Sequence, residues 1–178
     1  CRSNVSCAGS STRAAAASTA EVAATLVLDP AQLTFERHEG YDLVSIEGAV
    51  HTTEAEEPML PVLYVRLLLP PDSRCSGIRT SVARTVEIPG VYDILPAPRP
   101  VTFASAREAD VPQPSARTYH SELPYPREVA RLAGVGSFDG YRIATVRVTP
   151  LQYVPATGKL TLSTEIRIAV ATEPTGED

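Results

Sequence analysis

The chain has 178 residues, 43% of them hydrophobic and 21% charged, which suits one folded domain able to bury a core without staples. Its net charge of −5 and sequence pI near 5.3 disfavour a nucleic-acid binder, whose footprint would be a basic patch or stripe. No apolar run approaches the roughly 20 residues of a membrane-spanning helix, and the absence of tryptophan removes a carbohydrate site built on stacked indoles.

Residues 1–24 are rich in Ala, Ser and Thr and offer no apolar face to bury, so they read as a flexible lead-in or linker. Asn4-Val5-Ser6 fits the N-glycosylation pattern, a match that occurs often by chance. Cys1, Cys7 and Cys75 form no metal-binding spacing, and no metal or other cofactor is expected. In an oxidising compartment Cys1 could pair with Cys7, or one of them with Cys75; three free thiols is the equal alternative. A first-position cysteine is also what a processed, lipid-anchored bacterial lipoprotein presents, although no upstream recognition segment is part of this sequence.

From Thr25 the pattern turns to strands. Thr25–Leu28 is a short apolar run stopped by Asp29-Pro30. In 32–37 Leu33 and Phe35 alternate with polar residues, and after Glu39-Gly40 Val44 and Ile46 share one side of 41–48. These predict strands of a meander with Gly or Pro at the corners. His38 and His51 fall at strand ends and read as ordinary surface histidines. Val62–Leu69 is apolar on both faces apart from Tyr64 and Arg66, which predicts a central strand covered on both sides. Residues 78–88 alternate, with Ile78, Val82, Val86 and Ile88 expected inward.

Between Pro89 and Pro126 prolines recur and only short apolar islands survive. Proline fixes φ and removes a ladder donor, so this is a stiff and largely irregular excursion. It reads either as a solvated connection or as a binding loop, and it carries Arg99, Arg107, Arg117, Tyr119, His120 and Tyr125. Residues 127–132 predict one or two helical turns before Gly134.

The most ordered pattern is Gly140–Val170. Two runs rich in β-branched residues flank Pro155-Ala156-Thr157-Gly158-Lys159, which predicts a β-hairpin with one face on the core. Leu160, Leu162, Ile166, Ile168 and Val170 fall on one side of the second run; Ala144, Val146 and Val148 fall on one side of the first. Residues 172–178 read as a polar tail, leaving 25–171 as the folded domain. Without a convincing long helix between these strands, the fold class is all-β: an antiparallel, jelly-roll-like β-sandwich with a long proline-rich loop and at most short helical turns. No Ser/His/Asp or Cys/His motif and no phosphate-binding glycine loop emerges from three histidines and scattered carboxylates, so a binding or regulatory module is expected rather than an enzyme.

An ordered set of motifs spans about Thr25 to Val170. It comprises Glu57-Pro58-Met59-Leu60-Pro61, a strand ending in Leu69-Pro70-Pro71, Leu123-Pro124-Tyr125-Pro126, Gly140-Tyr141-Arg142, Val148-Thr149-Pro150-Leu151-Gln152-Tyr153 and Pro155-Ala156-Thr157-Gly158-Lys159-Leu160. In this order the set resembles the N-terminal propeptide of gingipain-type (clan CD) cysteine peptidases. Val154 departs from it, standing where Asn is expected. The resemblance implies a secreted or cell-surface bacterial β-sandwich prodomain. Such a prodomain would serve as intramolecular chaperone and latency-maintaining inhibitor of a cysteine peptidase catalytic domain C-terminal to it. The alternative is an adhesion or accessory module of a surface protein with no inhibitory role.

A physical route to inhibition is visible in the excursion. A stiff loop can present an arginine to the specificity pocket of an Arg- or Lys-cleaving peptidase at low ordering cost, and a pocket carboxylate would take the guanidinium in a charge-assisted pair. Arg107, among the small neighbours Ser105, Ala106 and Ala109, is the first candidate. Arg117, near Tyr119, is the second, and Arg74 a distant third.

Overall fold

The computed structural model describes residues 20–99 and 113–175. Ten strands follow in order: β1 (Ala20–Val27), β2 (Leu33–His38), β3 (Tyr41–Ile46), β4 (Val50–His51), β5 (Pro61–Leu68), β6 (Ser73–Ile88), β7 (Ala130–Phe138), β8 (Tyr141–Val148), β9 (Leu151–Val154) and β10 (Lys159–Pro174). One short helix, α1 (Ala116–Tyr119), and a 3-10 turn at Pro30–Gln32 complete the regular structure among the described residues. The expected antiparallel β-sandwich is what the chain forms. One layer has the order β1-β10-β6, with β9 also paired to β10; the other has the order β4-β5-β8-β7; β2 and β3 make a separate two-stranded ribbon.

β10 is the spine. Its apolar period of two aims Leu160 and Leu162 into one core cluster with Val44, Ile46, Leu60, Ile94 and Tyr153. Ile166, Ile168 and Val170 enter a second cluster with Leu67, Ala144, Val146 and Val148. Register shifts between Ser163 and Ile166 separate the two groups, as a bulge that bends a long strand does. The inward faces expected for β3, β8 and β10 are those observed, but the side of β10 expected to face water is only partly open: Arg167 is exposed while Ser163 is buried beside the register shift.

Several pairings differ from the sequence reading. β1 pairs with β10 rather than with β2, and it takes in Ala20–Ala24, which composition placed in the lead-in. β10 likewise runs through Thr172 to Pro174, and Thr172 is buried. The Pro155–Lys159 hairpin joins β10 to the short β9 alone. β8, expected as the hairpin's other arm, crosses into the opposite layer between β5 and β7. The break falls at Thr149-Pro150, where proline lacks the N–H that would continue a ladder.

β5 is not covered on both sides: Tyr64 and Leu68 are 53% and 56% exposed, because its outer face has no layer above it. In β6 Ile88 is buried, but Val82 and Val86 are 38% and 37% exposed, since the two layers part along that edge. The helical turns expected at 127–132 are replaced by the start of β7, whose pairing with β8 outweighs a weak local helical preference. Cys75 is half-buried in β6, and no disulfide joins the described residues; Cys1 and Cys7 lie outside them.

Candidate partner-binding site

In its described parts, 89–99 and 113–126, the proline-rich excursion carries only the short α1 and isolated bridges, and these two limbs are stitched into the domain. On the outgoing limb Asp42 donates its N–H to Asp93 O (2.7 Å) and accepts from Leu95 N–H (3.0 Å). Met59 N–H then donates to Leu95 O (2.8 Å), and Ala97 N–H donates to Glu57 O (2.8 Å). Ile94, Leu95 and Ala97 are buried, so the apolar island seen in the sequence is a piece of core. On the return limb Tyr125 and Tyr153 exchange a pair of backbone hydrogen bonds at 2.7 and 2.8 Å.

Both limbs meet at Glu56. Its N–H donates to Ala97 O (2.7 Å), and its carbonyl accepts from Ser115 N–H (2.9 Å). Its side chain also pairs with the guanidinium of Arg99. Glu56 holds φ at +67°, a left-handed conformation uncommon for a residue with a Cβ. Such strain persists where surrounding bonds over-determine it. Ala97 and Ser115, on the two described limbs, are therefore held together at one residue. Arg107 falls between them in sequence and lies outside the described residues.

Arg117 and Tyr119 sit on α1 at the foot of the return limb. Arg117 is exposed and enters none of the ion pairs among the described residues. Tyr119 turns inward: its hydroxyl donates to Ile94 O (2.6 Å), and its ring meets Tyr153 edge-on at 6.5 Å. Burial pushes the Tyr119 phenol well above its ordinary value, so it stays a donor. Tyr153, raised to about 12 chiefly by burial, donates to Tyr92 O (3.0 Å). Tyr92 N–H in turn donates to Gly158 O (2.8 Å), which couples the outgoing limb to the β9–β10 turn.

Beside the foot lies an open cavity of about 430 Å³ lined by Thr52, Glu54, Tyr125, Arg127, Arg131 and Arg147, among others. Glu54 accepts a two-pronged bond from Arg147 (2.6 and 3.1 Å) and a longer one from Arg131 (3.3 Å). The Arg147 bond holds the Glu54 carboxyl below its ordinary value. Arg74, the third candidate, pairs with Glu173 at 3.3 Å at the far end of β10. His51 uses Nε2 to donate to Val44 O (3.0 Å), a structural contact. Sequence reasoning missed Glu56. Its one sequence signal is position, in Glu56-Glu57-Pro58 just ahead of β5.

The sequence profile of the Propeptide_C25 family matches residues 21–178, nearly the whole chain. The chain belongs to the Propeptide_C25 family. It is thus a propeptide domain and not a catalytic one, as its sequence led one to expect. The propeptide is 29% identical over 123 residues to gingipain R2 of Porphyromonas gingivalis; the match covers 68% of this chain and 16% of that protein. The chain therefore spans about a sixth of the curated relatives it matches. Two of the solved structures that share the fold are similar over most of this chain. One is described as the complex of Porphyromonas gingivalis RgpB pro- and mature domains (TM-score 0.66, 23% identity, 88% of this chain and 84% of that one). The other is described as concerning zymogenic latency of gingipain K from the same organism (TM-score 0.60, 21% identity, 85% of this chain and 99% of that one).

Proposed function

We propose that this propeptide precedes a gingipain-like cysteine peptidase domain in the same secreted polypeptide, assists its folding and holds it latent until cleavage beyond β10 separates the two. The observation that carries this reading, beside family membership, is the joining of Ala97 and Ser115 at Glu56. A loop held at both ends has already lost much of the freedom that binding would otherwise take away. Arg107 is the anchor in this reading: its guanidinium enters the peptidase's specificity pocket and pairs with a carboxylate there. Arg117, exposed on α1, is a second contact at the loop's foot, and Tyr119 serves by holding α1 to Ile94.

The test is the inhibition constant of the isolated chain against the mature peptidase. Arg107→Ala weakens inhibition by about 2 kcal/mol or more, and Arg107→Lys loses part of that because an ammonium cannot reproduce the guanidinium fork. Equal inhibition by wild type, Arg107→Ala and Arg117→Ala overturns the arginine anchor and leaves the latency role standing. A wild-type chain that neither inhibits the peptidase nor helps it refold overturns the latency role and favours an adhesion or accessory module.

A further inference from the structure

The free edge of β7 is built unlike an edge that is meant to stay free. Native edge strands are blunted by charge or proline, yet Leu132 to Phe138 reads Leu-Ala-Gly-Val-Gly-Ser-Phe, with neither. Among the described residues only β8 pairs with β7, so its other edge presents unpaired N–H and C=O groups.

Gly134 and Gly136 pair with Thr145 and Ile143 and so lie on the outer face of their layer. Neither has a left-handed φ, and a Cβ added at either would meet nothing within 4 Å. Gly134 adjoins the register shift that follows Leu132, where a strand glycine is common; Gly136 lies clear of it, and there neither the turn of the backbone nor packing among the described residues calls for glycine. Close approach from outside is the remaining physical reason at Gly136. On the same face, paired with Tyr141, stands Phe138, 74% exposed. A shallow trough and a large apolar knob thus share one strand.

They are complementary to each other under a two-fold axis. If two copies of β7 lie antiparallel with the axis at Gly136, Phe138 of each copy falls opposite Gly134 of the other, and Val135 opposite Ser137. Each ring then covers the other copy's glycine trough, as aromatic side chains do across strand pairs. The pairing uses only the regular part of β7, beyond the register shift between Leu132 and Gly134. The parted edge of the sandwich, a groove of about 470 Å³ lined by Ile78, Val82, Ala130 and Leu132 among others, lies along this same side.

We infer that β7 is the edge by which two copies of this chain pair, joining their β4-β5-β8-β7 layers into one continuous sheet.

Analytical ultracentrifugation of the 178-residue chain in reducing buffer tests this, with Gly136→Lys and Phe138→Ser as variants. Both positions are exposed, so circular dichroism and melting temperature stay close to wild type. The wild type dimerises with rising concentration. Gly136→Lys sets two ammonium groups against each other at the axis and weakens the dimer by about tenfold or more; Phe138→Ser removes the knob and weakens it as well. In the wild type, hydrogen exchange at 132–138 slows as the dimer forms. A wild type that stays monomeric at every concentration reached, or a dimer that Gly136→Lys leaves intact, overturns the inference. Protection of 132–138 that appears only on adding a peptidase domain also overturns it and gives the edge to a strand of that domain.

Discussion

The hydroxyl of Tyr119 reaches the carbonyl of Ile94 at 2.6 Å, and this bond ties the two limbs of the proline-rich excursion together across its neck. Ile94 is wholly buried, so its carbonyl has no water to fall back on. Tyr119→Phe should lower stability by about 1 kcal/mol, measured as a shift in urea midpoint at unchanged m. Under the proposed arginine anchor, it should weaken inhibition of the peptidase less than Arg107→Ala does, because it removes only the bond to Ile94. An unshifted midpoint would mean that the bond makes no net contribution.

Gly158 is the glycine that the β9–β10 turn cannot replace. Its φ is +65°, and an added Cβ would come within 2.6 Å of Val91 Cγ1 and 2.9 Å of Tyr92 O. Gly158→Ala should therefore cost about 2 kcal/mol or more, from left-handed strain and from displacement of the outgoing limb. Thermal denaturation checks this; a melting temperature equal to wild type would refute the close approach.

At the centre of β10, Ile166 has no exposed surface. Ile166→Asp buries a carboxylate without a partner and should destabilise by about 4 kcal/mol or more, enough to leave much of the chain unfolded. Exposed Arg167 on the opposite face provides the control: Arg167→Asp should change stability by no more than about 0.5 kcal/mol. Comparable losses at both positions would contradict the face assignment.

Two carboxylates give the acid limb opposing slopes. Glu54 is held below its ordinary 4.5, mainly by the Arg147 hydrogen bond, so the folded chain binds fewer protons there than the unfolded one. Its contribution is present above pH 4.5 and is lost as pH falls through the lowered value. Asp93 is raised above its ordinary 3.8, by burial first and by the charge of Asp42 second, so its contribution is present at low pH and lost as pH rises through the raised value. Glu54→Gln should thus cost about 1 kcal/mol at neutral pH, a figure kept small because the carboxylate is 41% exposed, and should flatten the acid-side decline. Asp93→Asn should raise stability at neutral pH and steepen that decline. Urea midpoints across the acid range measure both; identical pH profiles for wild type and Glu54→Gln would refute the Arg147 assignment.

Which side of each well-patterned strand is buried was legible in the residues alone. A period of two assigns faces without reference to any neighbour, and Val44, Ile46, Val146, Ile166 and Ile168 all lie where alternation put them. The order of short proline and tyrosine motifs was likewise enough to identify the family. Partners are another matter, because a strand's ladder groups are identical along every chain and carry no address. The pairing of β1 with β10, the crossing of β8 into the opposite layer, and the strand at 130–138 where local preference suggested helix follow from which apolar faces meet. The open faces of β5 and β6 follow from where the layers end: Leu68 and Val82 look like core in sequence because nothing local records the absence of a covering layer. Glu56 is the extreme case. Its role rests on backbone hydrogen bonds from residues far along the chain and on a left-handed φ that tertiary contacts impose, so its side chain gave no signal of the two limbs it joins.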